Sequence, residues 1–324
     1  MRVAVIGKAN HLHWDHHVAE ALREIDCEVL HARTNRRSII ANISRTASRI
    51  VGKKNDRVHA EKISAKVKAF EPDIILLVSV FFIPLPFLEE LSQVKGHALI
   101  CGWDGDCATD LESSKPYAGL LDCLFIANHG CVSRNQTFCK RVMPLNLGVN
   151  SRMFVDRKMK RENKMYFCAR YNYERANTLV GAATILPIII KGSGWKGVSR
   201  KHPNTKLKAS SANLHALIKD YNRYRFYFNM IQTENGSGGL NMRNFEVPAC
   251  GGLLVNNHEP YIEEIVDVEN EMICFKTPEE MNDKLMRCLR DPSHARRLSE
   301  NGQRRILASH TYVQRMKELL SLLA

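Results

Sequence analysis

The stretch from Thr233 to Gly252 reads TENGSGGLNMRNFEVPACGG, and its pattern decides how we interpret the fold. Its first half is a polar, glycine-rich loop, and its second half has helical character from about Asn241 to the Gly251-Gly252 pair. The apolar run Leu253–Asn256 follows directly and is typical of a buried strand. Glycines let backbone N–H groups approach a ligand closely, and a loop that opens a helix favours bound anions. The stretch therefore predicts a loop, helix and strand with an anion site at the loop.

Two charged side chains in this helix suit a phosphorylated ligand. Arg243 supplies a cation in the first turn, and a guanidinium can bind phosphate oxygens through two hydrogen bonds. Glu246 lies one turn later, where a carboxylate can accept hydrogen bonds from sugar hydroxyls. A purely structural alternative stays open, in which Asn241 caps the helix, Gly251 ends it and Glu246 faces solvent.

Strand and helix patterns alternate on both sides of this stretch. Strand-like runs in the first half of the chain are Arg2–Gly7, Cys27–Ala32, Ile74–Val80, Ala98–Trp103 and Cys123–Ala127. A second series comprises Met165–Ala169, Leu186–Ile190, Arg225–Ile231, Leu253–Asn256 and Met272–Phe275. Strands separated by helix-length segments predict parallel βαβ units in doubly wound sheets. We expect ligands outside the carboxyl ends of these strands.

A polar stretch after Asn150 separates the two series. We predict an α/β domain over residues 1–150, a linker over 151–164 and a second α/β domain over 165–305. A final helix over 306–324 is expected to pack back on the first domain.

Composition limits the class of protein. The 324 residues are 44% hydrophobic and 25% charged, which is typical of a globular protein and excludes disordered, collagen-like and coiled-coil chains. Lys and Arg number 47 against 34 Asp and Glu, so the net charge of +13 indicates an anionic partner: nucleic acid, acidic lipid or a phosphorylated small molecule.

The cellular location of the protein and the redox state of its cysteines can be predicted from the sequence. The start has no signal-peptide pattern, and the longest nearly apolar run, from Ile74 to Leu88, is broken by prolines. A helix that crosses a bilayer needs about 20 apolar residues. We therefore expect a cytoplasmic protein and leave open a peripheral contact at the inner face of the membrane. The ten cysteines include no Cys-x-x-Cys pair and are expected to be reduced, mostly buried thiols.

Four motifs resemble those of one enzyme family. The end of the opening stretch, from Phe245 to Gly252, resembles the FE-x-x-A-x-G element of GT-B glycosyltransferases. Tyr166–Arg175, Lys191–Trp195 and His310–Arg315 resemble further family elements in the same order, and together they are similar to the CgeB-like (spore maturation protein type) branch of the glycosyltransferase family 1/4 group. The resemblance implies two Rossmann-like doubly wound domains that face a central cleft. The acceptor would bind the first domain, and a nucleotide-sugar the second.

The resemblance also implies roles for single residues. Arginines and the backbone around Gly238 would hold the diphosphate, Glu246 the ribose, and Trp195 with Gly194 the nucleobase. The implied donor-binding residues are Arg170, Arg175, Gly194, Trp195, Gly238, Gly239, Leu240, Asn241, Arg243 and Glu246. Gly238 is a departure, because many relatives carry there a glutamate that contacts the donor sugar, and Glu234 is the substitute that this chain offers.

The catalytic base is expected near the ends of the strands of the first half. His13, Asp15 and His16 lie in the histidine-rich segment after the first strand and can deprotonate an acceptor hydroxyl. A zinc site and plain helix capping are the alternatives for this segment. Asp104 is a further candidate; with Asp106 it could instead hold a divalent ion or cap a turn.

A basic stretch suits an anionic surface. Arg33–Arg57 combines arginines and lysines with apolar residues at helical spacing, which is typical of a helix lying on an anionic membrane. A core-facing helix with a solvated basic side, or recognition of a phosphorylated acceptor, fits the same pattern.

The resulting expectation is a hexosyltransferase-type enzyme that needs no cofactor and no divalent metal. It would move sugar from a nucleoside-diphosphate sugar to a hydroxyl of a glycan, lipid or other carrier. Alternatives are a nucleotide-sugar epimerase of the same fold, a phosphorylase, for which no pyridoxal-lysine motif is present, and a non-catalytic nucleotide-sugar binding protein. Nucleic-acid binding is disfavoured, because aromatic residues are not interleaved with the basic run.

Overall fold

The structure is a computed structural model, and it describes residues 1–7, 14–34, 59–105, 111–201, 204–208, 214–231 and 239–324. The chain divides into two compact units. The first contains residues 1–146, Gly239 and residues 312–324, and the second contains residues 147–233 and 240–311, as far as these are described. The second unit thus begins at Leu147, within the predicted first domain, and the last helix groups with the first unit.

The first unit contains a six-stranded parallel sheet in the order β2-β1-β3-β4-β5-β6. Its strands are β1 (Arg2–Gly7), β2 (Glu28–Arg33), β3 (Ile74–Val78), β4 (Leu99–Asp104), β5 (Cys123–Ile126) and β6 (Val142–Pro144). Helices cover both faces, so β3 is buried along its whole length and reads as a continuous apolar run. The helices are α1 (Trp14–Glu24), α2 (59–70), α3 (Leu85–Val94), α4 (Leu111–Ala118) and α5 (Val132–Asn135).

The second unit contains another parallel sheet, in the order β12-β11-β10-β7-β8-β9. Its strands are β7 (Glu162–Cys168), β8 (Ile188–Lys191), β9 (Thr205–Lys208), β10 (Tyr224–Asn229), β11 (Leu253–Asn257) and β12 (Ile273–Phe275). The direction of winding reverses between β7 and β10. In open α/β sheets such a reversal leaves a crevice at the carboxyl ends of the two strands, where ligands bind.

The two faces of this second sheet differ in polarity. Phe226 and Phe228 of β10 point into the apolar core, whereas Tyr227 and Asn229 lie on the opposite face, because successive strand residues alternate. The helices of the unit are α6 (Tyr173–Ala182), α7 (Lys196–Lys201), α8 (Leu214–Arg223), α9 (Arg243–Ala249), α10 (Pro278–Arg290) and α11 (Pro292–Ser309). The polar face packs against α8 and α9 and therefore carries the site described below.

The last helix belongs structurally with the beginning of the chain. Helix α12 (Tyr312–Leu323) packs against α1, and the Tyr312 ring stacks on His17 with 5.8 Å between ring centroids. Arg141 donates a hydrogen bond of 2.6 Å to the carbonyl oxygen of Leu322. Helix α12 begins at Tyr312, and α11 ends at Ser309, so the single helix predicted from residue 306 is two helices.

Two strands and the start of a third differ from the sequence-based expectation for one reason, the polarity of sheet edges and strand ends. Strands β6 and β9 are short edge strands that the apolar pattern did not predict. Strand β7 begins at Glu162, inside the predicted linker. The Glu162 carboxylate pairs with Lys164 at 2.5 Å and Arg223 at 2.6 Å, so this end of the strand is solvated and lacks an apolar pattern.

The cysteines follow the expectation with one exception. Of the nine cysteines within the described residues, eight are free thiols, seven of them buried, and Cys131 is disulfide-bonded. Among the described residues, no helix is both long enough and apolar enough to cross a membrane.

Candidate active site

Arg243 lies at the winding reversal of the second sheet. It is the first residue of α9, and its Nε donates a hydrogen bond of 2.8 Å to Oδ1 of Asn229, at the end of β10. Its Nη1 donates to the carbonyl oxygen of Cys168, at the end of β7, over 3.3 Å. Both acceptors are neutral, so these bonds orient the guanidinium without cancelling its charge. A fixed cation thus spans the crevice between β7 and β10.

A second arginine reaches the same strand end. Arg175 lies in the first turn of α6, where the Asn172 side chain caps the helix by accepting a hydrogen bond of 3.2 Å from the Arg175 amide. The Arg175 Nη2 donates to the carbonyl oxygen of Met230 over 3.2 Å. Met230 follows Asn229 directly, and consecutive Cα atoms lie about 3.8 Å apart. The two guanidiniums therefore converge at the carboxyl end of β10, where they favour a ligand with adjacent negative charges.

A buried network of asparagines fixes Arg243. Asn229 donates to Oδ1 of Asn256 over 2.6 Å and to Oδ1 of Asn244 over 3.1 Å. Asn241 donates to Oδ1 of Asn229 over 3.0 Å, so this oxygen is shared with Arg243. The exposed fraction of Asn229 and Asn256 is 0%. This network is not evident in the amino-acid sequence, where its only signal is an asparagine at the end of β10 and of β11, with two more around Arg243.

The beginning of α9 uses its backbone donors internally. The Arg243 amide donates to the Asn241 side chain over 3.1 Å, and the Asn244 amide donates to the Asn241 carbonyl over 3.0 Å. The Asn241 side chain thus accepts a hydrogen bond from a backbone donor at the beginning of α9, in agreement with the structural alternative in which Asn241 caps this helix. Because α9 has only seven residues, the anion-binding capacity at this place rests mainly on the arginine side chains.

Glu246 is buried beneath the arginine. It is 4% exposed, and the Tyr221 hydroxyl lies 3.4 Å from its Oε2 as donor. Burial raises the pKa of the Glu246 carboxyl to about 7, although Arg243 and the Tyr221 hydroxyl lower it in part. The structural alternative places Glu246 on a face exposed to solvent, whereas the structure buries this side chain. A carboxyl that titrates near neutrality in an interior is typical of a functional site.

The predicted nucleobase residues are placed differently from the expectation. Trp195 is fully buried, and its Nε1 donates to the carbonyl oxygen of Ala169 over 2.9 Å, so its ring offers no face to a ligand. The ring packs edge-on against Phe167 and Tyr171. Gly194 is exposed and has a φ of 88°, in the left-handed region that favours glycine.

The other predicted donor residues are less closely assembled. Arg170 is exposed in the loop after β7, and Leu240 is 2% exposed. Gly239 forms an isolated antiparallel bridge with Asn128, and both belong to the first unit. Gly238 lies outside the described residues, as does Glu234.

Of the predicted bases, Asp15 sits in a buried ion pair. Its carboxylate accepts from Arg33 through two hydrogen bonds, of 2.5 and 3.2 Å, and contacts His31 Nε2 at 2.7 Å. Burial raises the pKa of Asp15, but the bonds to His31 and Arg33 outweigh it, and the pKa is lowered overall. A carboxylate stabilised in this way is a weak base, and the geometry favours a structural role.

The remaining candidates lie at strand and helix ends of the first unit. The His16 ring is 39% exposed and pairs with Glu20 one turn later, at 3.3 Å. Asp104 ends β4 and is 4% exposed. His13, Asp106 and residues 35–57 of the basic stretch lie outside the described residues. Within the parts that the structure describes, no three His, Cys, Asp or Glu side chains are grouped as metal ligands.

Comparisons with known proteins agree with this architecture. Residues 170–321 match the protein family described as "Glycosyl transferase-like". The whole chain superposes on a sucrose-phosphate synthase from Thermosynechococcus elongatus with a TM-score of 0.71 and 12% identity, covering 100% of this chain and 99% of that one. A glycosyltransferase from Rickettsia africae superposes with a TM-score of 0.69 and 11% identity, covering 99% of this chain and 97% of that one. Anabaena HepE in complex with UDP superposes with a TM-score of 0.67 and 9% identity, covering 100% of this chain and 99% of that one. No curated protein sequence matches significantly.

The two parallel six-stranded sheets with flanking helices are those of the structures to which the chain is similar. The chain therefore has the GT-B fold, and residues 170–321 are the part that is similar to the glycosyl transferase-like family.

Proposed function

We propose that the protein is a glycosyltransferase that moves a sugar from a nucleoside-diphosphate sugar to a hydroxyl of a glycan, lipid or other carrier. The observation that carries the proposal is the convergence of Arg175 and Arg243 on the adjacent residues Met230 and Asn229, at the winding reversal of a parallel sheet. The structure of HepE with UDP, a similar fold, supports a nucleotide ligand. The sequence motifs point to the CgeB-like branch, which we propose as the finer family.

The reaction assigns the arginines a role in the transition state. The acceptor oxygen forms a bond to the anomeric carbon, and the bond from that carbon to the diphosphate oxygen breaks. The leaving nucleoside diphosphate takes the electron pair, and the acceptor proton passes to a base. Charge grows on the leaving oxygen, where the preorganised guanidiniums of Arg175 and Arg243 stabilise it. Two fixed cations can serve this purpose, so we propose that the enzyme needs no divalent metal.

Glu246 and His16 complete the proposed machinery. The Tyr221 hydroxyl contacts Oε2 of Glu246, so Oε1 is the oxygen that we assign to the ribose hydroxyls. Among the predicted bases we favour His16 over Asp15, because Asp15 is held by Arg33 and His31, whereas the His16 ring is partly exposed. His13 and Asp104 remain candidates. Peripheral contact with an anionic membrane, through the basic stretch, stays part of the proposal.

Product analysis tests the reaction class. Purified protein is incubated with radiolabelled UDP-, GDP-, ADP- and TDP-sugars, with and without a panel of glycan and lipid acceptors. We expect release of one nucleoside diphosphate, stimulated by one acceptor class and unaffected by chelator. A changed sugar on an intact nucleotide would indicate an epimerase instead. Nucleotide binding without any release would indicate a non-catalytic binding protein. Tighter, salt-dependent binding of short RNA or DNA than of any nucleotide would overturn the proposal.

A further inference from the structure

One aromatic ring is exposed in the loop that follows β7. Tyr171 lies three residues after Cys168, the last residue of β7, and is 37% exposed. Most other large aromatic side chains of this unit, including Trp195 and Phe167, are fully buried. An exposed aromatic ring in the loop after a strand is suited to stack on a planar ligand group.

The loop after β8 is built to lie close to Tyr171. The Tyr171 amide donates a hydrogen bond of 2.9 Å to the Ser193 carbonyl oxygen. A Cβ added at Gly194 would lie 2.7 Å from the Cβ of Tyr171, and one added at Gly192 would clash with the Ala169 carbonyl oxygen. Both glycines have positive φ, of 143° and 88°. Side chains are therefore excluded at 192 and 194, and the backbone of Gly194 packs directly against Tyr171.

Trp195 supports the Tyr171 ring from within the unit. The two ring centroids are 5.3 Å apart, and the planes make an angle of 78°, so the tryptophan contacts the tyrosine edge-on. Trp195 is in turn held by its hydrogen bond to Ala169 and by an edge-on contact with Phe167. The orientation of Tyr171 is thus fixed before any ligand binds, which lowers the entropy cost of stacking.

The spacing to the arginine site suits a nucleotide. Arg243 is anchored on the carbonyl of Cys168, three residues before Tyr171, and three extended residues span about 10 Å at most. Tyr171 thus follows closely on the residue that anchors Arg243, and a nucleoside diphosphate carries its charged phosphates and its planar base at opposite ends. The arginines and Tyr171 lie on opposite sides of the end of β7. The arginines lie between β7 and β10, and Tyr171 lies towards β8.

We propose that the nucleobase of the donor stacks on the exposed ring of Tyr171, beside the loop Gly192–Gly194 that packs against this residue. The assignment rests on the proposed function and refines it, because it replaces the buried Trp195 with its exposed neighbour. Every base has a π-face, so the ring contributes affinity for nucleosides in general. Loss of such a stacking contact weakens binding about 5- to 100-fold.

Calorimetry with two ligands tests this assignment on the full-length protein. The nucleoside diphosphate that binds wild type most tightly is compared with inorganic pyrophosphate, which lacks the base. We expect Tyr171→Ala to lower the affinity for the nucleoside diphosphate 5- to 100-fold and the affinity for pyrophosphate less than twofold. Tyr171→Phe should retain the affinity of wild type for both ligands. The matched control is Tyr173→Ala, which removes a 72% exposed tyrosine two residues later and should change neither. In Tyr171→Trp, the new indole fluorescence should be quenched by the nucleotide and not by pyrophosphate.

Each other outcome has a distinct meaning. Unchanged nucleotide affinity in Tyr171→Ala, with wild type binding normally, would overturn the stacking assignment and leave the proposed function intact. Equal weakening of both ligands would also overturn it, because the ring would then act on the phosphate site. Absence of nucleotide binding by wild type would overturn the proposed function and this assignment with it.

Discussion

The Nε of Arg243 and the Oδ1 of Asn229 are joined by a hydrogen bond of 2.8 Å, which ties the first residue of α9 to the last residue of β10. Asn229 is fully buried, and its amide nitrogen is held by Asn244 and Asn256. The arginine is therefore positioned by neutral amides and keeps its charge for a ligand. A carboxylate at the same place would orient it equally well but would neutralise it.

This relationship predicts the effect of a nearly isosteric change. Asn229→Asp should weaken binding of a nucleoside diphosphate at least tenfold, because the new carboxylate pairs with Arg243 and repels phosphate. Isothermal titration at pH 8 measures the loss, and circular dichroism checks that the fold is retained. Asn270→Asp, at an exposed position, is the matched control and should bind as wild type. Equal affinity of the two variants would contradict the role of Asn229.

Burial of Glu246 predicts a pH-dependent stability. The pKa of this carboxyl is about 7 in the folded protein against 4.5 as a reference, so the folded state keeps a proton that the unfolded state releases. The contribution of this group is present below about pH 4.5 and is lost as pH rises to 7, by about 3 kcal/mol or less.

Glu246→Gln removes this titration. Its free energy of unfolding, relative to wild type, should be higher at pH 8 than at pH 5 by about 1–3 kcal/mol, measured by urea denaturation. The same variant should bind nucleotide more weakly, since an amide replaces the acceptor oxygen proposed for the ribose. A difference from wild type that is equal at both pH values would contradict a raised pKa.

Substitution of Asp15 distinguishes a structural role of this residue from a catalytic one. Asp15→Asn leaves Arg33 and His31 without their buried partner and should lower the free energy of unfolding by about 3 kcal/mol at pH 7. Because the folded pKa of Asp15 is lowered, the difference from wild type should shrink as pH falls below 4. A variant of unchanged stability that has lost all turnover would instead identify Asp15 as the catalytic base.

The proposed metal independence has its own test. Sugar transfer by protein treated with EDTA and passed through chelating resin should equal that of untreated protein, because the arginines carry the charge stabilisation. Added magnesium should change the rate less than twofold. Loss of turnover on chelation, restored by one divalent ion, would show that a metal is required.

Local sequence patterns predicted much of the fold. Helix α9 was anticipated from the glycines on both sides of it, although the observed helix, Arg243–Ala249, is shorter than the predicted one at both ends. The buried strands of both sheets were visible as apolar runs. Edge strands β6 and β9 and the polar start of β7 were missed, because solvated strand residues carry no apolar period.

The site was predictable only in part. Arg175 and Arg243 were identified from motif and charge, and they do converge on one strand end. The asparagine network was not anticipated, since it joins residues of two strands and a loop through tertiary contacts. Trp195 was expected to contact the base, yet it is buried, because sequence alone does not distinguish a tryptophan that binds a ligand from one that supports its neighbour.

We propose that Arg175 and Arg243 together form the site for a nucleoside diphosphate. The most direct measurement is the thermal stability and calorimetric affinity of wild type, Arg175→Ala and Arg243→Ala against UDP, GDP, ADP and TDP. The control is Arg296→Ala, whose side chain is 78% exposed in the same unit. At a ligand concentration of one hundred times the dissociation constant, binding should stabilise wild type by about 2.7 kcal/mol. We expect a selective stabilisation by one nucleoside diphosphate in wild type and in the control, with affinity at least tenfold lower in both site variants. Equal affinity in all four proteins, or no stabilisation of wild type by any nucleotide, would contradict it.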